Sequence, residues 1–227
     1  MRVLFDPAAN AAMLRRETSR TAKIAELYEE YLYAKIGDAE TRSSPRFVDE
    51  LVVKPRGVQN FRPAHDNWRR RARVPTIVFN AASLNTGHAF HFSPTGMGEP
   101  PARGDEDVDV NDRFERAGYG AFPEAWKRVR LGHAVGASAC VPVLFEPLEL
   151  QGAYGDNVVR LVDGGLYDNQ GAGALLEQDC TSLVVSDASG QMSLDTAPSG
   201  SEIGVGGRSN SVLQARLRET QYQDLRS

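Results

Sequence analysis

The chain has 227 residues, a formal net charge of -4, and 41% hydrophobic and 25% charged residues, the proportions of an ordinary globular domain with a sizeable core. That balance excludes a collagen-like or compositionally disordered chain and argues against a dedicated nucleic-acid binder, which would carry a basic excess. There is no run of about eighteen apolar residues for a membrane span and no charged-then-apolar start for a secretory leader.

Met1 to Phe5 is a short apolar start followed by Asp6-Pro7. From about Ala8 to Ile36 the pattern is helical: Ile24, Leu27, Tyr28, Tyr31, Leu32 and Ile36 recur at three- and four-residue steps as one apolar stripe, with Lys23, Glu26, Glu29, Glu30 and Lys35 off it. Gly37 is placed to end this helix. Thr41 to Arg73 carries Pro45, Pro55, Gly57 and Pro63 and reads as a loop-rich excursion with room for a short strand at Phe47 to Val53. It closes on Trp68-Arg69-Arg70-Arg71-Ala72-Arg73. Two readings of that cluster stand: contact with anionic lipid headgroups, and a solvated face that offsets the acidic residues.

Val74 to Asn80 is the clearest strand of the first half. It leads through Ala81 to Leu84 into the turn signal Asn85-Thr86-Gly87 and a second strand, His88 to Phe92. His88 and His91 are three apart, which puts them on opposite faces of a strand and disfavours a shared metal. Ser93 to Asp112 is rich in Gly, Pro and acid; Asp105 to Asp112 resembles a calcium loop superficially, but the central glycine and closing glutamate fall in the wrong places, so it reads as solvent-facing loop. Pro123 suits the first position of a helix from Glu124 to Val129. A further helix, about Leu131 to Cys140, is built of small residues that let it approach a neighbouring backbone closely.

Val158 to Val162 is an apolar, β-branched strand that delivers Asp163 to its carboxyl end; Gly164-Gly165 then turns the chain sharply through angles other residues avoid, and a helix starts over Gly171 to Glu177 and closes over Leu175 to Asp179. Ser182 to Ser186 reads as another parallel strand ending at Asp187. Gln191 to Arg208 reads as a flexible Gly and Ser stretch whose Gly204 to Gly207 fails the spacing of a phosphate cradle. Ser209 or Asn210 would cap a closing helix carrying Val212, Leu213, Leu217 and Tyr222. The two cysteines, Cys140 and Cys180, lack metal-ligand spacing and read as buried free thiols. No motif calls for a cofactor or a metal.

A carboxylate held between a strand end and a helix start can serve as a positioned base, although Asp-Gly-Gly is also an ordinary turn tripeptide. The company it keeps decides between them. Ala134 to Pro147, an A-x-x-A-S-x-x-x-P-x-x-F-x-P segment, followed by Asp163-Gly164-Gly165-Leu166-Tyr167-Asp168-Asn169, resembles the patatin-like phospholipase family from about Pro75 to about Gly190. The resemblance implies a three-layer α/β fold with a mainly parallel central sheet, and hydrolysis of lipid acyl esters by a serine and aspartate dyad. The aspartate of the D-G-G or D-G-A motif would be Asp163, with Gly164 and Gly165 forming the motif turn. In the family, the asparagine and threonine at the end of the strand before the hairpin border the site.

Two signatures of that family do not occur in the sequence: the glycine-rich oxyanion loop and the G-x-S-x-G elbow. Gly136-Ala137-Ser138-Ala139-Cys140 comes nearest, but Cys140 stands where the second glycine belongs and no strand precedes it. The expectation is therefore one partial domain, incomplete at its amino end: residues 1–74 helix and loop excursion, 75–190 sheet core with Asp163, 191–227 flexible loop and closing helix. The expected partner is a lipid or other acyl ester, with peripheral membrane contact, no nucleic acid, and a cytoplasmic or membrane-peripheral address. The chain alone is expected to be inactive. The alternatives are a lipid- or protein-binding fragment, and a serine hydrolase that uses Ser138 with a histidine such as His133.

Overall fold

The protein is seen in a computed structural model that describes residues 19–34, 36, 45–102, 110–178, 180, 182–186 and 192–224. Its helices are α1 (Arg20–Tyr28), α2 (Pro63–Asp66), α3 (Leu131–Ala139), α4 (Ala172–Glu177) and α5 (Glu202–Asp224); its strands are β1 (Phe79–Ser83), β2 (Ala89–Ser93), β3 (Gly96–Gly98), β4 (Ala117–Gly118), β5 (Leu148–Tyr154) and β6 (Asn157–Asp163). The architecture is mixed α/β, with the strands in one six-stranded sheet in the order β4-β3-β2-β1-β6-β5.

The expected mainly parallel sheet is not what these residues form: all five strand pairings are antiparallel. Short connections explain three of the five. β1 and β2 are joined by a tight loop, β2 and β3 by Pro94-Thr95, and β5 and β6 by Gly155-Asp156, and connections this short return the chain only as a hairpin. Only an isolated bridge between Glu99 and Glu115 is parallel.

Several expected elements move. Val74 is not in a strand, because the Asn67 side chain claims both its backbone groups, Nδ2 donating to the Val74 carbonyl at 2.8 Å and Oδ1 accepting from its N–H at 2.8 Å. β1 starts only at Phe79. Ser182 to Ser186 forms no strand, and Val184 lies exposed. Phe47 makes a single bridge to Arg130 and Val48–Leu51 is a 3-10 turn, while Glu124–Trp126 is likewise a single 3-10 turn after Pro123. The closing helix begins at Glu202, well before Ser209, because the Ser201 hydroxyl accepts the Gly204 N–H at 3.2 Å and caps it there. Cys140 is buried as expected, but Cys180 is exposed. The calcium-like loop at 105–109, Asp187, Gly37 and the first eighteen residues lie outside the described ones.

The core gathers on one side of the sheet, where Phe90, Phe92, Leu150, Val159 and Leu161 meet Val129, Ala134 and Ala137 of the segment around α3. α1 lies against α3 through small residues. Its buried positions are Thr21 and Ala25, while Tyr31, Leu32 and Ile36 of the expected apolar stripe are exposed. A Cβ on Gly132 would collide with the Ala25 carbonyl oxygen, and one on Gly136 would sit 3.4 Å from the Ala25 Cβ. Past α1 the chain widens into a π turn, Glu29–Tyr33. There the Glu29 carboxylate accepts the Gly132 N–H at 2.7 Å and the Arg46 N–H at 3.1 Å. One side chain thus satisfies an orphan donor at the start of α3 and fixes the loop at Arg46. These contacts place α3 across β1 and β6, with its carboxyl end beside Asp163.

Candidate active site

β6 ends at Asp163, which is paired in register with Ala81 of β1. The Asp163 N–H donates to the Cys140 carbonyl at 3.1 Å, so the residue after α3 pins the strand end from one side. The Asp163 side chain is half-buried. Its Oδ1 accepts the Gly165 N–H at 2.7 Å, and Oδ2 has no hydrogen-bond partner among the described residues. Burial pushes the Asp163 carboxyl above its ordinary range, opposed by the Gly165 N–H. A carboxylate anchored by one oxygen, with the other free and its affinity for a proton raised, is the arrangement a general base needs.

Gly164 and Gly165 open a 3-10 turn, Gly164–Leu166, and neither has a positive φ. The expectation that they supply unusual torsions is therefore corrected: they supply room. A Cβ on Gly164 would meet the Asn80 carbonyl oxygen inside van der Waals contact and its carbon at 2.8 Å; one on Gly165 would stand 2.7 Å from the Asn169 Oδ1 and 3.1 Å from the Asp163 Oδ1. The torsional glycine is Gly171, at φ 68, which starts α4.

Asp168, a second carboxylate in the motif, is buried and fully engaged. Its Oδ1 accepts the Ala172 N–H at 3.2 Å and the Gln221 Nε2 of α5 at 3.0 Å, and its Oδ2 accepts the Gly173 N–H at 2.6 Å. It satisfies the first donors of α4 and ties α5 to the turn. Both its oxygens are committed to structure, whereas Asp163 commits only Oδ1 among the described residues.

Ser138 lies in the last turn of α3, not on a strand-to-helix corner, and no hydrogen bond joins it to Asp163. His133 is five residues away on the same helix, about 140° around it, so the two do not face each other. Burial, with the Arg130 charge, lowers the affinity of His133 for a proton. Asn85 and Thr86 sit at the far end of β1: Asn85 bonds the backbone of Val158 and Arg160, and the Thr86 hydroxyl donates to the buried Glu99. The asparagine beside the Asp163 turn is Asn80.

Sequence reasoning missed a buried ionic group behind the turn. Arg116 Nη2 donates to Glu177 Oε2 at 2.9 Å and lies 2.7 Å from His91 Nδ1, which is 3.5 Å from the same carboxylate oxygen. Burial raises the Glu177 carboxyl, but its bonds to His91 and Arg116 outweigh this and leave it below the ordinary range. His91 is paired in register with Asn80, and Glu177 is the last residue of α4. The signal available was the pair of residues itself, Asn80 opposite His91, once the hairpin is drawn.

No match was found among curated proteins or among solved structures. The described residues hold no helix long and apolar enough to cross a membrane. A family profile does match, that of the patatin-like phospholipases, over residues 23–176. The matched span runs from within α1 almost to the end of α4 and so takes in the whole sheet, the small-residue helix and the Asp163 turn. With about two thirds of its length matched, this chain is a member of the patatin-like phospholipase family, a family of lipid acyl hydrolases.

Proposed function

We propose that the chain supplies the base of a lipid acyl-ester hydrolase, Asp163, to a Ser-Asp dyad whose serine is not among its 227 residues. The observation that carries this is the division of labour within one carboxylate: Oδ1 is fixed by the Gly165 N–H at 2.7 Å while Oδ2 is left without a partner among the described residues. In the dyad, Oδ2 takes the proton from the serine hydroxyl as its oxygen attacks the ester carbonyl carbon. The tetrahedral intermediate expels the alcohol, which receives that proton from Asp163, and an acyl-serine remains. Water then attacks the acyl group, giving its proton to Asp163, which returns it to the departing serine oxygen. A carboxyl raised by partial burial is a better base for these steps than an exposed one. Gly164 and Gly165 hold the turn, and the substrate is reached from a lipid surface at which the protein is peripheral.

A fluorophosphonate probe and a phospholipid assay test this. The expected results are no labelled serine and no turnover for the 227-residue chain by itself, and turnover that Asp163→Asn abolishes once a segment carrying a glycine-rich loop and a G-x-S-x-G elbow is supplied to it. Labelling of this chain that disappears in Ser138→Ala would transfer the nucleophile to Ser138, and turnover that survives Asp163→Asn would remove Asp163 from the mechanism.

A further inference from the structure

Cations are distributed unevenly on this acidic protein. Between residues 54 and 73 there are seven, Lys54, Arg56, Arg62 and the arginines at 69, 70, 71 and 73, against the single acid Asp66. Elsewhere among the described residues Lys23, Lys127, Arg128 and Arg160 each carry a carboxylate partner, and cations with none, such as Arg130 and Arg216, are not gathered in such a run. None of the seven has a carboxylate partner among the described residues. The Asp66 carboxylate is turned instead to the Arg62 backbone N–H, at 2.7 Å.

The segment is built, not loose. Phe61 is buried and anchors it, with the Arg70 guanidinium 5.5 Å from its ring centre. The two hydrogen bonds between the Asn67 side chain and the Val74 backbone close the loop that carries Arg69 to Arg73. Trp68 stands at its start with 66% of its surface exposed, and Arg69 lies 4.5 Å over its indole. Val53 and Val58 are exposed on the same segment. A closed loop that presents unneutralised guanidinium groups around an exposed indole fits a surface that is anionic outside and apolar just beneath, because indoles settle at the headgroup level and basic side chains are drawn to anionic lipid. A nucleic acid would use the charge but leaves the aliphatic side chains without a role.

We propose that the 54–73 loop is the protein's docking surface for an anionic lipid bilayer, with Trp68 as the inserted side chain and the arginines reading surface charge. This deepens the lipid-hydrolase reading and rests on it for the choice of partner, but is tested by binding alone. The full chain is floated with vesicles of phosphatidylcholine, with and without phosphatidylserine, at low and raised salt. Binding is expected only to the phosphatidylserine vesicles, weakened by salt. It should fall about fivefold for each arginine removed in the series Arg69→Gln, Arg71→Gln and Arg73→Gln, hold when these become Lys, and fall again in Trp68→Ala. Circular dichroism checks that each variant keeps the fold. Asp163→Asn should bind like the parent, so that docking stands or falls independently of the role proposed for Asp163. Absence of binding, equal binding to both vesicle types, binding unchanged in the arginine series, or tighter binding to an oligonucleotide than to the vesicles would each overturn the assignment.

Discussion

Two aspartates five residues apart in one turn have opposite fates, and hydrogen bonds decide which is which. Asp168 spends its oxygens on Ala172, Gly173 and Gln221, while Asp163 keeps one in reserve. Holding Asp163 ionised in a half-buried place costs stability: its carboxyl is raised in the folded state, so between the unfolded and folded values the native form binds more protons, and stability falls as pH rises through that window. Asp163→Asn is accordingly expected to raise the melting temperature at neutral pH and to lose that advantage in acid, where the parent aspartate is itself protonated. A melting temperature equal to or below the parent's at neutral pH would contradict the partial burial argued here. The two glycines also separate. Gly164 faces the Asn80 backbone, which cannot yield, whereas Gly165 faces the end of the Asn169 side chain, which can rotate away. This gives a physical reason why the family's motif reads D-G-G or D-G-A. Gly164→Ala should cost roughly 1–3 kcal/mol of unfolding free energy by overpacking and Gly165→Ala markedly less, as denaturant titration would measure.

At the scale of elements, the turn is held by what lies on either side of it. α3 packs against α1 because Gly132 and Gly136 let the two touch, and the carbonyl of Cys140, the residue that follows α3, receives the Asp163 N–H. On the other side α4 runs from the turn to Glu177, whose carboxylate is fixed to Arg116 and His91. Because the Glu177 carboxyl is depressed in the folded state, its contribution is present above the ordinary carboxylate range and is lost as pH falls through the lower folded value. Glu177→Gln should therefore destabilise the protein by about 1–3 kcal/mol at neutral pH, by leaving the part-buried Arg116 guanidinium short of its counter-charge. The difference from the parent should shrink in acid, and a difference that does not depend on pH would count against this ion group.

Across the whole molecule, the parts legible in the sequence were those where periodicity and turn chemistry agree: the β1 to β2 hairpin, the small-residue helix, and the strand that leads to Asp163. The strand direction was not legible, because an apolar run fits a parallel core strand or one buried antiparallel strand equally well. β3 was hidden because Gly96 and Gly98 read as loop. In fact a Cβ at either would strike the backbone at Ala117 or Arg116, so glycine there permits the pairing it was taken to interrupt. β5 carries a readable alternation: Leu148 and Leu150 are buried, Glu149 and Gln151 exposed, ahead of Gly155-Asp156. At the proposed site, Asp163 stands out in the sequence through its motif, but Asn80, which packs against Gly164 and Gly171, is brought to the turn only by the folded chain, as Arg116 and His91 are brought to Glu177.

The two outer strands of the described sheet differ from the inner ones. β4 has two residues, and β5 has a register shift between Gln151 and Tyr154, with Gly152 at φ 74, while the Trp126 indole N–H donates to the Gln151 carbonyl at 2.8 Å. A neighbouring polypeptide seeking a straight ladder of free amides finds one rim too short and the other kinked and partly occupied. Among these strands, self-association by sheet extension into fibrils is thereby discouraged by backbone geometry alone, without any help from surface charge.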